Sequence, residues 1–280
     1  MGLSIAADIT KASNSSLTLP FLFFPKEQRS ALQTVYAFCR QTDDIVDETP
    51  DENSRVVLLK KWRDELGKAL NGNSEFSLLN QLHATAKTFS IPVQHFYELI
   101  AGVEMDLNKK RYATFDELQE YCYHVASSVG LMCLGIFGTH NEQTKKYAVH
   151  LGVALQLTNI IRDIHFDAQQ GRIYLPLEDL KRFNYSEDEL LRNVYNENFI
   201  ALMNFETQRA QEYYECAKQS LPKEDKRIMF AAKIMERIYF HTLIRIKKFR
   251  YNVFERKLSL PKYLQFLIAA KYWMKLRLFG

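Results

Sequence analysis

Asp43 and Asp47 stand four positions apart, and so do Asp163 and Asp167 about 120 residues later in the 280-residue chain. On a helix that spacing projects both carboxylates of a pair from one face, one turn above the other. Like charges so placed repel by about 0.2–0.5 kcal/mol in an isolated helix. A divalent cation reverses the sign, because hard cations take carboxylate oxygens together with substrate phosphates. One such pair alone reads as a solvated acidic helix end. The second closes an apolar run from Gln156 to Asp167, where acidic groups are costly to desolvate unless something cationic compensates them. Asn159, one turn before Asp163, adds a neutral oxygen to that face. The two pairs together predict two helices facing each other across a cavity, with metal ions between them.

Those helices belong to a chain that reads as helical almost throughout. Only 10 Gly and 7 Pro punctuate it, against 47% hydrophobic residues, too few turn formers for a sheet with many tight connections. Pro25-Lys26-Glu27 opens a helix that runs to about Asp47, since Pro pre-sets the first turn and Glu suits the positive end of the dipole. Further helices are expected at 55–70, 76–89, 92–107, 114–137, 141–167, 186–219 and 223–254. Thr114 with Glu117 and Ser186 with Glu189 have the spacing of a reciprocal cap at a helix start. A single all-α domain over 1–280 is the expectation.

Composition narrows the partners. The formal charge of +4 is modest and the basic residues are dispersed, so nucleic acid is not an expected partner. Cys39, Cys122, Cys133 and Cys216 form no Cys-x-x-Cys pair, which indicates neither a zinc site nor a secreted disulfide framework and fits a reducing cytosol. Asp8 falls where a signal peptide needs its apolar core, and Ala6 where a myristoylation motif needs Ser or Thr. No apolar stretch approaches the ~20 residues of a spanning helix.

The segments around the aspartates, Tyr36 to Glu48 and Asn159 to Pro176, together with Glu120-Tyr121-Cys122-Tyr123-His124-Val125-Ala126-Ser127-Ser128-Val129-Gly130, resemble the three motifs of the squalene/phytoene synthase family. The likeness extends from Asn14 to about Lys257. It implies a single helical bundle around an apolar cavity and head-to-head condensation of two prenyl diphosphates. By that resemblance Asp43, Asp47, Asn159, Asp163 and Asp167 hold Mg²⁺ against the diphosphates, while Arg40, Arg162, Arg172 and Tyr174 belong to the diphosphate end. Ser16 matches the family's N-terminal Ser-x-Ser; Asn14 and Leu17 depart from it. Tyr36, Tyr121 and Tyr251 are the candidates to line the reacting centre, where aromatic faces stabilise a carbocation shielded from water. Gln156 lies near them. Val125, Val129 and Gly130 resemble small residues beside the tail channel, and Phe21 a wall that limits tail length. Asp106 matches a weaker acidic position. Phe166 departs from the family, which usually carries an acid before the last aspartate, and His165 is also atypical.

Likeness to the bacterial hopanoid branch, in Ala37-Phe38-Cys39-Arg40 and Val125 to Gly130, gives presqualene diphosphate from two farnesyl diphosphates as the first expectation. Phytoene from two geranylgeranyl diphosphates is the alternative, and a non-catalytic scaffold with the same fold is the rival of another class; retention of all four aspartates argues against the scaffold. No Gly-x-Gly-x-x-Gly exists, yet squalene synthases bind NADPH without one, so NADPH stays open. The stretch from Tyr263 to Phe279 reads as a basic amphipathic helix, either cover for the bundle or a shallow membrane contact of a cytoplasmic enzyme. Oligomeric state is not legible.

Overall fold

The computed structural model describes residues 6–10, 16–255 and 258–279, and among them it contains helices and no strand. A 3₁₀ segment, Ser16–Phe23, leads into α1 (Lys26–Asp47), followed by α2 (Glu52–Ala69), α3 (Ser77–Thr88), α4 (Gln94–Asn108) and α5 (Phe115–Cys122). A π turn, Tyr123–Ser127, joins α5 to α6 (Ser128–Phe137). Then come α7 (Glu142–Gln169), α8 (Leu177–Arg182), α9 (Glu187–Leu191), α10 (Glu197–Ser220), α11 (Phe230–Lys248) and α12 (Lys262–Phe279).

The helix α7 is the axis of the bundle. Its buried residues include Leu151, Ala154, Leu157, Ile160, Ile161 and Ile164, which occupy more than one face, as befits a helix surrounded by others. It packs on α10, α6, α11 and the π turn, while α1 packs on α3 and α6. Gly138 caps α6 at φ 84°, a left-handed position that glycine takes without strain, and the chain reverses there into α7.

Several expected boundaries moved. The span 114–137 is interrupted by the π turn, which lies where two glycines admit it: a Cβ on Gly102 would come 2.7 Å from Val125 Cγ1, and one on Gly152 2.6 Å from the Ser127 Cα. The span 186–219 divides into α9 and α10 because Asn193 turns left-handed at φ 57° and Asn196 starts a new helix by accepting from the Phe199 amide at 2.9 Å. The span 223–254 begins as a helix only at Phe230, after a 3₁₀ turn at Glu224–Lys226, and ends at Lys248, beyond which Arg250 and Tyr251 both take positive φ. Ser186 and Glu189 form the reciprocal cap. Thr114 caps α5, but Glu117 accepts from the Ala113 amide and pairs with Lys109 instead of closing the box.

Candidate active site

Between α1, α6, α7 and α11 lies a cavity of about 650 Å³. From its polar end down, α1 contributes Asp43, Arg40, Cys39, Tyr36, Val35 and Leu32, and α7 contributes Arg162, Asn159, Gln156 and then small or aliphatic residues to Tyr147. Asn159 and Tyr147 stand twelve positions apart on α7, an axial depth of ~18 Å at 1.5 Å per residue. Phe21, Val125, Val129 and Gly130 also line the cavity, and the Phe21 ring meets Tyr36 edge-on at 6.4 Å.

The mouth is electrostatically strained. Burial, then repulsion by Asp47 and Asp106, pushes the Asp43 carboxyl up to about 8. Burial and Asp163 push Asp167 up to about 7. Burial raises Asp106 to about 6 against the opposing pull of Arg172. The acids of α1, α4 and α7 therefore share one field, although among the described residues no three His, Cys, Asp or Glu side chains gather around a single metal position.

Fixed donors hold the rim of this field. Arg172 follows Gly171, whose φ of 72° turns the chain out of α7, and donates to Asp47 Oδ1 at 3.2 Å. Tyr174 and Tyr121 donate to the two oxygens of Asp106, at 2.8 and 2.9 Å, with their rings 5.2 Å apart. Arg162 grips Asp163 with two nitrogens, Nε to Oδ1 at 2.9 Å and Nη2 to Oδ2, and interacts with the Tyr239 hydroxyl. Arg40 pairs with Asp44 at 2.6 Å and Glu48 at 3.3 Å, on the stripe beside Asp43.

Asn159 Oδ1 is buried without a hydrogen-bond partner, although its Nδ2 donates to Gln156. An unpartnered oxygen beside carboxylates whose ionisation is opposed is a donor set that suits a hard cation. Magnesium sites commonly use one or two carboxylates and complete their octahedron with water and substrate phosphate.

The expected residues separate into three groups. Phe21, Tyr36, Arg40, Asp43, Val125, Val129, Gly130, Gln156, Asn159 and Arg162 line the cavity, while Asp47, Asp163, Asp167, Tyr121, Arg172 and Tyr174 form the network above and beside its mouth. Tyr251 is not brought there: its left-handed backbone turns the hydroxyl to Asn204 Oδ1 on α10 at 2.8 Å. Ser16 begins the 3₁₀ segment, but its side chain, like Asn14 and Lys257, lies outside the described residues. Phe166 is 59% exposed beside the mouth. The atypical His165 turns Nδ1 to Asn193 Oδ1 at 2.8 Å. Tyr239 and Cys133 were not anticipated; each sits on an ordinary apolar face with no motif around it.

Comparison with known proteins gives these features a context. Residues 10–263 match the family model for squalene/phytoene synthase. A 15-cis-phytoene synthase of Synechocystis sp. is 36% identical over 283 residues, covering 97% of this chain and 84% of that protein. Among solved structures, a dehydrosqualene synthase in complex with ligand superposes with a TM-score of 0.86 at 28% identity, covering 99% of this chain and 96% of the other. The squalene synthase HpnC from Alicyclobacillus acidocaldarius gives 0.82 at 28% identity, covering 90% and 95%.

Proposed function

Because this chain belongs to the squalene/phytoene synthase family, a family of prenyltransferases, we propose that it condenses two geranylgeranyl diphosphates head to head to phytoene. The observation that carries the C20 choice is the 36% identity to a phytoene synthase across nearly the whole chain. It displaces presqualene diphosphate as the leading product. Cavity depth supports the same choice. An extended prenyl main chain advances roughly 1.25 Å per carbon–carbon bond of about 1.5 Å, giving about 14 Å for farnesyl and about 19 Å for geranylgeranyl. The ~18 Å from Asn159 to Tyr147 suits the longer tail.

In this reading Asp43, Asp47, Asn159, Asp163 and Asp167 hold Mg²⁺, which when bound acts as a Lewis acid on the diphosphate leaving groups. Arg162 fixes Asp163, and Arg172 holds Asp47 in place and offers guanidinium protons to phosphate oxygens. Arg40 reaches phosphate after exchanging Asp44 or Glu48. Ser16 belongs to the same diphosphate end. Tyr36, with Phe21 behind it, presents an aromatic face to the allylic cation in a space that excludes water. Tyr121 and Tyr174, braced on Asp106, place hydroxyls at the polar rim. Tyr251 acts from outside, by holding the end of α11 against α10.

Phytoene formation releases two diphosphates and two protons and needs no reductant, so NADPH is not required. The C15 reading stays the second one because a dehydrosqualene synthase is the structural neighbour with a TM-score of 0.86. Among the described residues no helix is long and apolar enough to cross a membrane. The exposed Tyr263, Phe266, Leu267 and Met274 of α12, on a helix whose sequence carries no acid, support shallow contact with an anionic bilayer, the proper sink for a C40 hydrocarbon.

The test is product analysis of purified protein with Mg²⁺ and either farnesyl or geranylgeranyl diphosphate, each with and without NADPH. Phytoene independent of NADPH is expected. Dehydrosqualene, or squalene only with NADPH, moves the assignment to C15, and absence of any condensation product favours the scaffold.

A further inference from the structure

We propose that Tyr147 and Phe137 are the stop that sets how long a tail the cavity accepts; this rests on the prenyl-diphosphate reading and names the residues that measure its substrate. Both line the cavity, and helix register places them at its deep end. Gly130 backs onto Ala148, where a Cβ would lie 3.2 Å from the Ala148 carbonyl oxygen. From that level α6 continues seven positions to Phe137 while α7 recedes one to Tyr147.

Each ring is held so that it cannot swing aside. Tyr147 is fully buried, and its hydroxyl donates to Glu236 Oε2 at 3.1 Å. Glu236 is itself clamped, both oxygens accepting from Lys233 Nζ at 2.7 Å. Phe137 stacks on Phe24 with centroids 5.5 Å apart and planes 12° off parallel. Phe24 in turn stacks on Phe230 at 4.6 Å, so the floor is three rings thick. The Gln28 side chain donates to the Ile136 carbonyl at 2.8 Å and ties the first turns of α1 to the end of α6.

The side walls have a different character. Ala126, Val129, Gly130, Ala148 and Gly152 are short side chains that a tail slides past without displacing anything. Apart from the Phe21 wall, length is therefore resisted at the deep end, first by Tyr147 and about 9 Å further along the helix axes by Phe137, two rings with independent supports. A C25 tail, at about 24 Å by the same bond advance, overruns the Tyr147 ring and comes up against Phe137, and a farnesyl tail leaves both untouched.

The experiment compares wild type with Tyr147→Ala, Phe137→Ala, Phe137→Leu and Tyr147→Phe. It measures calorimetric binding of unreactive C15, C20 and C25 thiolodiphosphates with Mg²⁺, and in parallel the products formed from the corresponding diphosphates. Circular dichroism and thermal melts identify the variants that fold. Tyr147→Ala is expected to improve C25 over C20 binding at least tenfold relative to wild type, a Phe137 truncation to give a smaller gain, and Tyr147→Phe to leave the ranking unchanged. An unaltered chain-length ranking in folded truncation variants overturns the stop while leaving the condensation reading intact. An altered ranking without turnover by wild type overturns the condensation reading and keeps the stop. Failure of wild type to bind any of the three analogues overturns both.

Discussion

The two ends of the cavity are built on opposite terms. At the mouth, Asp43, Asp106 and Asp167 sit half-buried in one electrostatic field with their carboxyls pushed up to about 8, 6 and 7, and Asn159 Oδ1 goes without a partner. At the floor, Phe24, Phe137 and Phe230 stack and Tyr147 has its partner. Folding alone satisfies the floor. The mouth keeps raised carboxyls and an unpartnered oxygen after folding, the pattern that the proposed cationic ligand would complement.

The largest expected effect breaks the loaded end. Asp43→Asn should lower kcat/KM by about 10²–10³-fold, the size attached to losing one preorganised charge. It should also raise the melting temperature of the ligand-free protein at pH 8, because a repelled, half-buried carboxylate has become neutral; steady-state kinetics and a melt on the same sample check both. A lowered melting temperature would mean that Asp43 is a stabilising charge and the contrast is false. Next, Phe24→Ala should cost about 3–5 kcal/mol by removing the middle ring of the floor, read from denaturant unfolding, with little change in the affinity for inorganic diphosphate and Mg²⁺.

The pH dependence comes third. Asp43, Asp167 and Asp106 have folded-state pKa values above the ordinary carboxylate value, so the folded chain binds more protons than the unfolded one. Its stability is greatest below pH ~4 with respect to these groups and falls as pH rises through about 6 to 8. Melts from pH 5 to 8.5 should show that decline without ligand and a shallower one with Mg²⁺ and diphosphate. Glu206, raised to about 8 by burial and by Asp179 against the opposing pull of Arg209, should keep part of the slope in either case. The smallest effect is local: Ser186→Ala, which opens the cap of α9, should cost ~1 kcal/mol and leave turnover unchanged.

Much of this contrast is readable from residue order. The i, i+4 aspartates, the apolar run leading to Asp163 and the scarcity of Gly and Pro lead to facing helices, because these are local properties of single segments. What sequence order does not carry is side-chain direction between segments. Tyr251 matches a family position, yet two successive left-handed residues send its hydroxyl to Asn204. Arg40 turns its charge to Asp44 and Glu48 on its own helix. The floor was unreadable for a different reason: Phe24, Phe137 and Phe230 come from three distant segments, and each alone is an ordinary core residue. The break at Asn193 and the cap at Asn196 were visible as residues but were outweighed by the helical pattern on both sides.

The π turn has a consequence for the phase of the bundle. A helix advances by about 100° per residue, and Tyr123–Ser127 accommodates one residue more than an α turn holds. Deleting one residue there would let α geometry return with α6 in its present phase, whereas winding the same residues as a regular α helix would rotate the whole of α6 by about 100° against α1 and α7. Val129, Gly130 and Cys133 would turn away from the cavity together, replaced by whatever faces outward now. The facing of these three residues is thus indexed by one extra residue held in the π turn.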